Sequence, residues 1–374
     1  MKRLCIYVTY DFENIVDDYI GHILYELRKV TDCLIVVCNY SYIAQGIENI
    51  QPYADKIYYR ENKGFDAGAY KEVLCQRLGW DWVCSFDELL LVNDSFYGFF
   101  YPIEDLFQII ENTDADYWGI TRAPQGIFSD GYRYDTHIQS YFLTFRTKIL
   151  NSNCFKEFWE TLEYPKTLYD AVLKFEIGCN KYFKQHGFKE TSLTDQFCPN
   201  CLFDNNQIPY MNYSLELIRD LKIPILKRRS LYFSNKGFEN ALSALKYIND
   251  ANFFDTTLVT KHLFRISQIK LAQGMIDLIK LNSFYHKHSK IYFYGAGVYG
   301  QNLAKYFCYK GWTFAGYVVT KDEKSIENCK AFSEVELNSD DGIIIAVSNK
   351  EICLEILEIV QKCCSDNQIL YPNY

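Results

Sequence analysis

The sequence predicts a multi-domain α/β protein, and three observations carry that expectation. Apolar, β-rich runs alternate with helically spaced segments from the first residues onward. The same alternation restarts late in the chain at Ile291-Tyr-Phe-Tyr-Gly-Ala-Gly-Val-Tyr-Gly300. The 374 residues suffice for two or three domains, each with its own core, at a prior of about 150 residues per domain.

The elements follow in order. Strands are expected at 4–9, 33–38, 56–59 and 88–92, with helices over 17–29 and 70–78. Between the third strand and the second helix, Asn62-Lys-Gly-Phe-Asp-Ala-Gly68 reads as a turn. The run Leu89-Leu-Leu-Val92 stops abruptly at Asn93-Asp94-Ser95. Polar ligands are thereby set at the carboxyl end of a strand, where open parallel sheets bind. A helix at 103–110, a strand at 117–121, a long glycine-containing loop at 125–136, a strand at 140–145 and helices at 155–162 and 171–186 complete the first part. A loop of that length often acts as a lid. The pattern is helical from 236 to 285. The expected domains are 1–235, a helical connector over 236–285, and a smaller α/β unit over 286–374.

Composition narrows the function. A net charge of −8 argues against a general binder of nucleic acid or anionic membrane. The basic run Lys227-Arg228-Arg229 can approach donor phosphates or lipid headgroups, but short charge runs are usually solvated surface. The 32 Tyr and 27 Phe suit sugar-stacking surfaces and AT-rich codon usage equally. No secretory signal follows Met1, and no apolar run reaches the length of a membrane span, which points to a cytoplasmic protein with at most peripheral membrane contact. Most of the 14 cysteines then sit as small hydrophobes in a reducing compartment. Cys198-Pro-Asn-Cys201 can supply half a zinc site, yet no second pair completes it.

Four sets of residues can carry chemistry. Asn93-Asp94-Ser95 offers oxygen atoms suited to Mg²⁺ or Mn²⁺, although polar residues also end ordinary strands. In the 62–68 run, glycines allow close backbone approach to a ligand while Asn62 and Asp66 can bond base or ribose; a turn and helix cap explains the same residues. Glu176 lies among Val172, Leu173, Phe175 and Ile177, an apolar setting that can raise its pKa towards that of a useful general base, or it is a surface glutamate on an amphipathic helix. His137 follows the glycine-containing loop and can contact an acceptor or leaving group, or be a satisfied structural histidine.

Five blocks in order, Glu61 to Tyr70, Leu89 to Gly98, Asp116 to Thr121, Gln139 to Phe145 and Phe175 to Gly178, resemble the rhamnan synthesis protein F family over roughly residues 1–235. The resemblance implies a GT-A-like, doubly wound domain that moves rhamnose or another hexose, with inversion, from a nucleoside-diphosphate donor to a growing cell-surface polysaccharide or lipid-linked glycan. It further implies donor binding by Thr9, Tyr10, Asn62, Gly64, Asp66 and Asn93, a divalent cation at Asp94, and Glu176 as base. The Asn93-Asp94-Ser95 run lacks the first Asp of the family's usual pair.

In the second α/β unit, Gly295-x-Gly297-x-x-Gly300 follows a strand and opens a helix, so helix amides can hold a phosphate. The unit resembles small Rossmann-like nucleotide-binding modules, in which such glycines can also serve tight helix packing. Its second strand ends Val318-Val319-Thr320 rather than in the acid an NAD site expects, with Asp322 beyond. Two other functions stay open: an NAD-dependent sugar-nucleotide oxidoreductase or epimerase, and a non-catalytic sugar-nucleotide-binding scaffold.

Overall fold

The computed structural model describes residues 1–40, 44–197, 209–231, 237–273, 276, 278–320, 328–347 and 349–372. Cys198, Cys201 and Asp322 lie outside them. The chain forms two compact units, Met1–Val259 and Thr260–Tyr374.

In the first unit, β1 (Arg3–Thr9), β2 (Cys33–Cys38), β3 (Lys56–Tyr59) and β4 (Glu88–Asn93) pair in parallel. Short strands follow: β5 (Phe96–Gly98), β6 (Tyr117–Gly119), β7 (Arg122–Ala123), β8 (Gly126–Ile127), β9 (Arg133–Tyr134) and β10 (His137–Ile138). Then come β11 (Phe142–Arg146), β12 (Glu190–Ser192) and β13 (Ile225–Lys227). The central sheet has seven strands in the order β12-β6-β11-β4-β1-β2-β3, and β11 alone runs antiparallel to its neighbours. This is the α/β, doubly wound class the sequence predicts. Because β11 runs backwards, the residues that lead into it stand at the same edge as the carboxyl ends of β1 and β4, which is how Gln139, Ser140 and Tyr141 reach the ligand-binding edge.

The apolar runs are explained by burial on both faces. On one face, Leu4, Ile6, Val8, Leu89, Leu91, Leu143 and Phe145 pack with Tyr70, Phe155, Trp159, Phe175, Cys179 and Phe183 from the covering helices. Phe175 and Cys179, four residues apart, seat one helical side on this core. Glu176 is thereby carried to the edge of the same layer.

Several elements differ from expectation. The helix expected at 70–78 begins at Phe65, so Asp66 lies in its first turn, and its last part, Val73–Arg77, is wound i→i+5. The expected loop at 125–136 carries a two-stranded ribbon, β8 with β9. The helix expected over 171–186 runs from Leu168 to Gln185 with an i→i+5 stretch at Val172–Ile177. Strands β5 and β13, which pair antiparallel with Lys227 opposite Phe96, left no run long enough to read. The helical stretch over 236–285 comprises Phe238–Asp250, Thr257–Gln273 and Leu278–Lys287, and the boundary between the units falls inside the second of these. No helix among the described residues is long and apolar enough to cross a membrane.

Position 68 must be glycine. A Cβ there would collide with the Lys63 carbonyl oxygen and meet the Tyr164 ring at 3.0 Å, so the turn and the first coil of its helix close only without a side chain. Gly68→Ala is expected to destabilise the fold by about 2–4 kcal/mol, read as a lower denaturation midpoint with an unchanged m-value.

In the second unit, β14 (Ile291–Tyr294), β15 (Gly316–Val319), β16 (Cys329–Ala331), β17 (Gly342–Ile345) and β18 (Ile369–Leu370) form an all-parallel sheet. Its order, β16-β15-β14-β17-β18, is the doubly wound one expected of a small Rossmann-like domain, with an apolar cluster on each face.

Candidate active site

A cavity of about 780 Å³ opens at the carboxyl edge of the first unit's sheet. Six of the residues singled out in the sequence line it: Tyr10, Asp66, Asn93, Asp94, His137 and Glu176. They arrive by five different elements. Tyr10 follows β1, Asn93 ends β4 with Asp94 just beyond, Asp66 opens its helix, His137 starts β10, and Glu176 lies in the i→i+5 stretch.

Thr9, Asn62 and Gly64 are not part of the cavity wall. Thr9 is fully buried behind it and donates to Asp94 Oδ2 at 3.2 Å. Asn62 is exposed, and its side-chain oxygen accepts from Asn39 at 3.3 Å. Gly64 takes a left-handed φ of 79° ahead of the helix and packs on Tyr164. Gly64 is the N-cap residue of that helix, and no side chain caps it.

The oxygens of Asn93-Asp94-Ser95 are largely spoken for. Asn93 Oδ1 accepts from the Ser95 amide at 3.1 Å and the Ser95 hydroxyl at 2.5 Å, while its Nδ2 donates to Asp66 Oδ2 at 2.7 Å. Asp94 Oδ2 accepts from Thr9 and from the Tyr10 amide at 3.1 Å, and Arg228 stands 3.4 Å away. Burial raises the Asp94 pKa, against the pull of Arg228 and these hydrogen bonds. The Ser95 hydroxyl also accepts from Lys227 Nζ at 2.6 Å. Among the described residues, no group of three or more His, Cys, Asp or Glu side chains is placed to hold a metal ion. Of the four side-chain oxygens in this run, those of Asn93 and Ser95 are bonded within it and Asp94 Oδ2 is engaged by Thr9, the Tyr10 amide and Arg228, so a cation expected at Asp94 would find only Asp94 Oδ1 without such a contact.

Glu176 is the best-supported acid in the cavity. Its Oε2 accepts from the Ser140 amide and hydroxyl, both at 2.8 Å, and its Oε1 lies 3.4 Å from His137 Nε2. His137 Nδ1 lies 2.9 Å from the Asp135 carbonyl, which holds the ring with Nε2 facing the carboxylate. Burial pushes the Glu176 pKa up, but His137 and Ser140 outweigh it and hold the carboxyl below its ordinary range. This corrects the expectation of a raised pKa: Phe175 packs into the core, while the carboxylate itself faces Ser140 and His137. Asp66 goes the other way, raised first by burial and further by the nearby Glu176 charge. Two acids in one cavity are thus shifted in opposite directions, Glu176 down and Asp66 up.

Asn180, one turn after Glu176 and 1 % exposed, clamps this arrangement. Its Oδ1 accepts from the Ile138 amide at 3.0 Å, and its Nδ2 donates to the carbonyls of Ile138 at 2.9 Å and Glu176 at 2.8 Å. Asn180→Leu leaves those backbone groups buried without partners. It is expected to cost about 3 kcal/mol, a fall of roughly 6–12 °C in melting temperature, measurable by calorimetry.

Sequence reasoning undervalued the basic run. Lys227, expected on a solvated surface, is only 7 % exposed, because it ends β13 and β13 is folded back on β5. Its Nζ also lies 3.9 Å from the centre of the Tyr141 ring. Arg228 donates to the Asp94 carbonyl at 2.9 Å and to the Tyr19 hydroxyl at 3.0 Å. Lys227, Arg228 and Arg229 all line the cavity, as do Gln139, Tyr141 and Tyr210. The available signal was the basic run itself beside an apolar Ile225-Leu226.

In the second unit, Gly295 has a φ of 116°, and a Cβ there would meet the Ala346 carbonyl oxygen at 2.8 Å. A Cβ at Gly300 would collide with the Gly295 carbonyl, so these two glycines serve close helix–strand packing. Gly297, at the head of helix Val298–Tyr309, faces open space. A separate cavity of about 500 Å³ is lined by Tyr294, Thr320 and Phe332 among others, and by none of the three glycines.

Among solved structures, the chain is similar to a 4-diphosphocytidyl-2C-methyl-D-erythritol synthase from Anaerococcus prevotii (16% identity, 51% of this chain and 88% of that one, TM-score 0.29). It is also similar to core-mannan synthase A from Aspergillus fumigatus in its Mn/GDP form (10%, 51% and 71%, TM-score 0.29). A cytidylyltransferase from Leptospira borgpetersenii is a third (10%, 60% and 97%, TM-score 0.31). Likenesses this distant say nothing about chemistry here. No curated protein matches the chain. The family described as rhamnan synthesis protein F matches residues 34–305, against the roughly 1–235 expected from the sequence, and runs on into the second unit. With well over half of its length matched, the chain belongs to the rhamnan synthesis protein F family.

Proposed function

We propose that the first unit is a glycosyltransferase that moves a hexose, rhamnose being the one in the family's name, from a nucleoside diphosphate to a hydroxyl of a growing cell-surface polysaccharide or lipid-linked glycan. Membership of the family supports a sugar-nucleotide-using transferase. The observation that carries the mechanism is that one cavity holds an ionised carboxylate, Glu176, together with the basic side chains of Lys227 and Arg228.

In this reading the acceptor hydroxyl approaches Glu176, which takes its proton as the oxygen attacks the anomeric carbon. The bond from that carbon to the diphosphate breaks on the opposite face, so the configuration inverts. His137 and Ser140 keep Glu176 ionised and oriented, and Tyr10, Asp66 and Asn93 face the donor. The work is placed at the cytoplasmic face of the membrane, with peripheral contact through the acceptor. The second unit is read as a nucleotide or sugar-nucleotide binding module, for which the open helix start at Gly297 is the support.

The test is a thermal-shift screen of the full chain with dTDP-, UDP- and GDP-sugars and with NAD(H), followed by an assay of nucleoside diphosphate release with candidate acceptors. A nucleotide sugar at about 100 times its Kd is expected to stabilise the protein by roughly 2.7 kcal/mol. A response to NAD(H) and to no nucleotide sugar would sink the transferase reading in favour of an oxidoreductase.

A further inference from the structure

We infer that Lys227 and Arg228 hold the donor's diphosphate and offset its charge as it leaves, so that this site binds and releases a nucleoside diphosphate without a divalent cation. The inference rests on the donor reading above and deepens it.

The first ground is Lys227 itself. It is buried in the cavity wall, and its Nζ is held by a hydroxyl, Ser95, and a ring face, Tyr141, neither of which carries a balancing charge. Burying an ammonium in this way is costly, and an anion entering the cavity supplies the missing counter-charge. The carboxylates that act on it from a distance are Glu176, Asp66 and Asp94, with Arg228 opposing them. The second ground is a directional chain of hydrogen bonds. Lys227 donates to Ser95, Ser95 to Asn93, and Asn93 to Asp66, at 2.6, 2.5 and 2.7 Å. This chain commits the oxygens of Asn93 and Ser95, so that within the run a hard cation would find only the carboxylate of Asp94, and it fixes the ammonium at the cavity wall.

The third ground is Arg228. Three atoms position its guanidinium: the Asp94 carbonyl, the Tyr19 hydroxyl and the Asp94 carboxylate. Asp94 is thereby explained as the anchor of a phosphate-binding arginine. A planar guanidinium beside a point-charge ammonium suits two linked phosphates. Placing both on consecutive residues at the end of β13 gives the pair a rigid base, because the β5–β13 ribbon locks their backbone next to Asp94 and Ser95.

The experiment is calorimetric titration of the full chain with UDP, dTDP, GDP and inorganic pyrophosphate, in EDTA and again with Mn²⁺, for the wild type, Lys227→Met and Lys227→Gln. Thermal melts of the same samples establish that each variant is folded; the Gln variant keeps a partner for Ser95 and lacks the charge. The expected result is that at least one nucleoside diphosphate binds in EDTA within about threefold of its affinity in Mn²⁺, and that both variants lose 100-fold or more. Binding that tightens tenfold or more with Mn²⁺, or that survives in a folded Lys227 variant, overturns the inference and leaves the donor reading standing. Pyrophosphate binding in EDTA that depends on Lys227, without binding of any nucleoside diphosphate, keeps the cationic site and removes the donor reading. No binding of any of the four under either condition overturns both.

Discussion

Glu176→Gln is expected to lower the rate of sugar transfer by about 10²–10⁴-fold, the range of a lost general base, while donor affinity stays within about threefold. The amide keeps the shape of the carboxylate and can still accept from Ser140, so the loss is one of charge rather than of packing. The pH profile supplies a sharper check. His137 and Ser140 hold the wild-type carboxyl below the ordinary glutamate range, so Glu176 contributes no acid limb between about pH 5 and 8. In His137→Gln the largest lowering influence is gone, so the Glu176 pKa rises and the acid limb of kcat/KM moves upward. A rate unchanged in Glu176→Gln, or an acid limb that stays put in His137→Gln, would remove Glu176 as the base. The same shift bears on stability: a carboxyl with a lowered folded-state pKa stabilises the protein above its unfolded value, and that contribution is lost as the pH falls through the folded one.

The second large effect is a trade of stability against binding at Lys227. Burial pushes the Lys227 pKa down to about 7, against an ordinary value of about 10.4. Between those two values the unfolded chain holds a proton that the folded protein has released, so stability rises with pH across the window. Below about pH 7 the free protein carries the whole penalty, on the order of 4–5 kcal/mol. Lys227→Met fills the space with an apolar chain and removes the charge. At pH 6 it is expected to raise stability by about 2–4 kcal/mol, or roughly 5–10 °C in melting temperature, the lost Ser95 bond taking back part of the gain. At pH 10 the gain should have largely vanished. A variant less stable than the wild type at pH 6 would mean that the ammonium is already compensated in the free protein.

The fold was legible wherever a run of apolar residues is buried on both faces, because such a run needs no partner to be recognised. Strands β1, β2 and β4, the restart at Ile291 and the α/β class all follow from it. Short elements were not legible. The three residues of β5 and of β13 have no period to read, and they form because each is the other's partner across more than a hundred residues. Of the candidate site, Asp94 and Asp66 were visible because polar residues interrupt an apolar strand or a glycine turn.

What the sequence by itself determined is the order of strands and helices, the carboxyl edge at which ligand-binding side chains end, and which acids stand there. Tertiary structure alone decided the electrostatics. Glu176 looks apolar along the chain, yet its carboxylate is met by His137 and Ser140 from across a gap of more than thirty residues. Lys227 looks like solvated surface, yet the β5–β13 pairing buries it at the cavity wall. The physical reason is common to both. Backbone propensity and hydrophobic burial are local or additive along the chain, whereas the charge state of a buried group is set by whichever donors and charges the fold brings within a few ångströms of it.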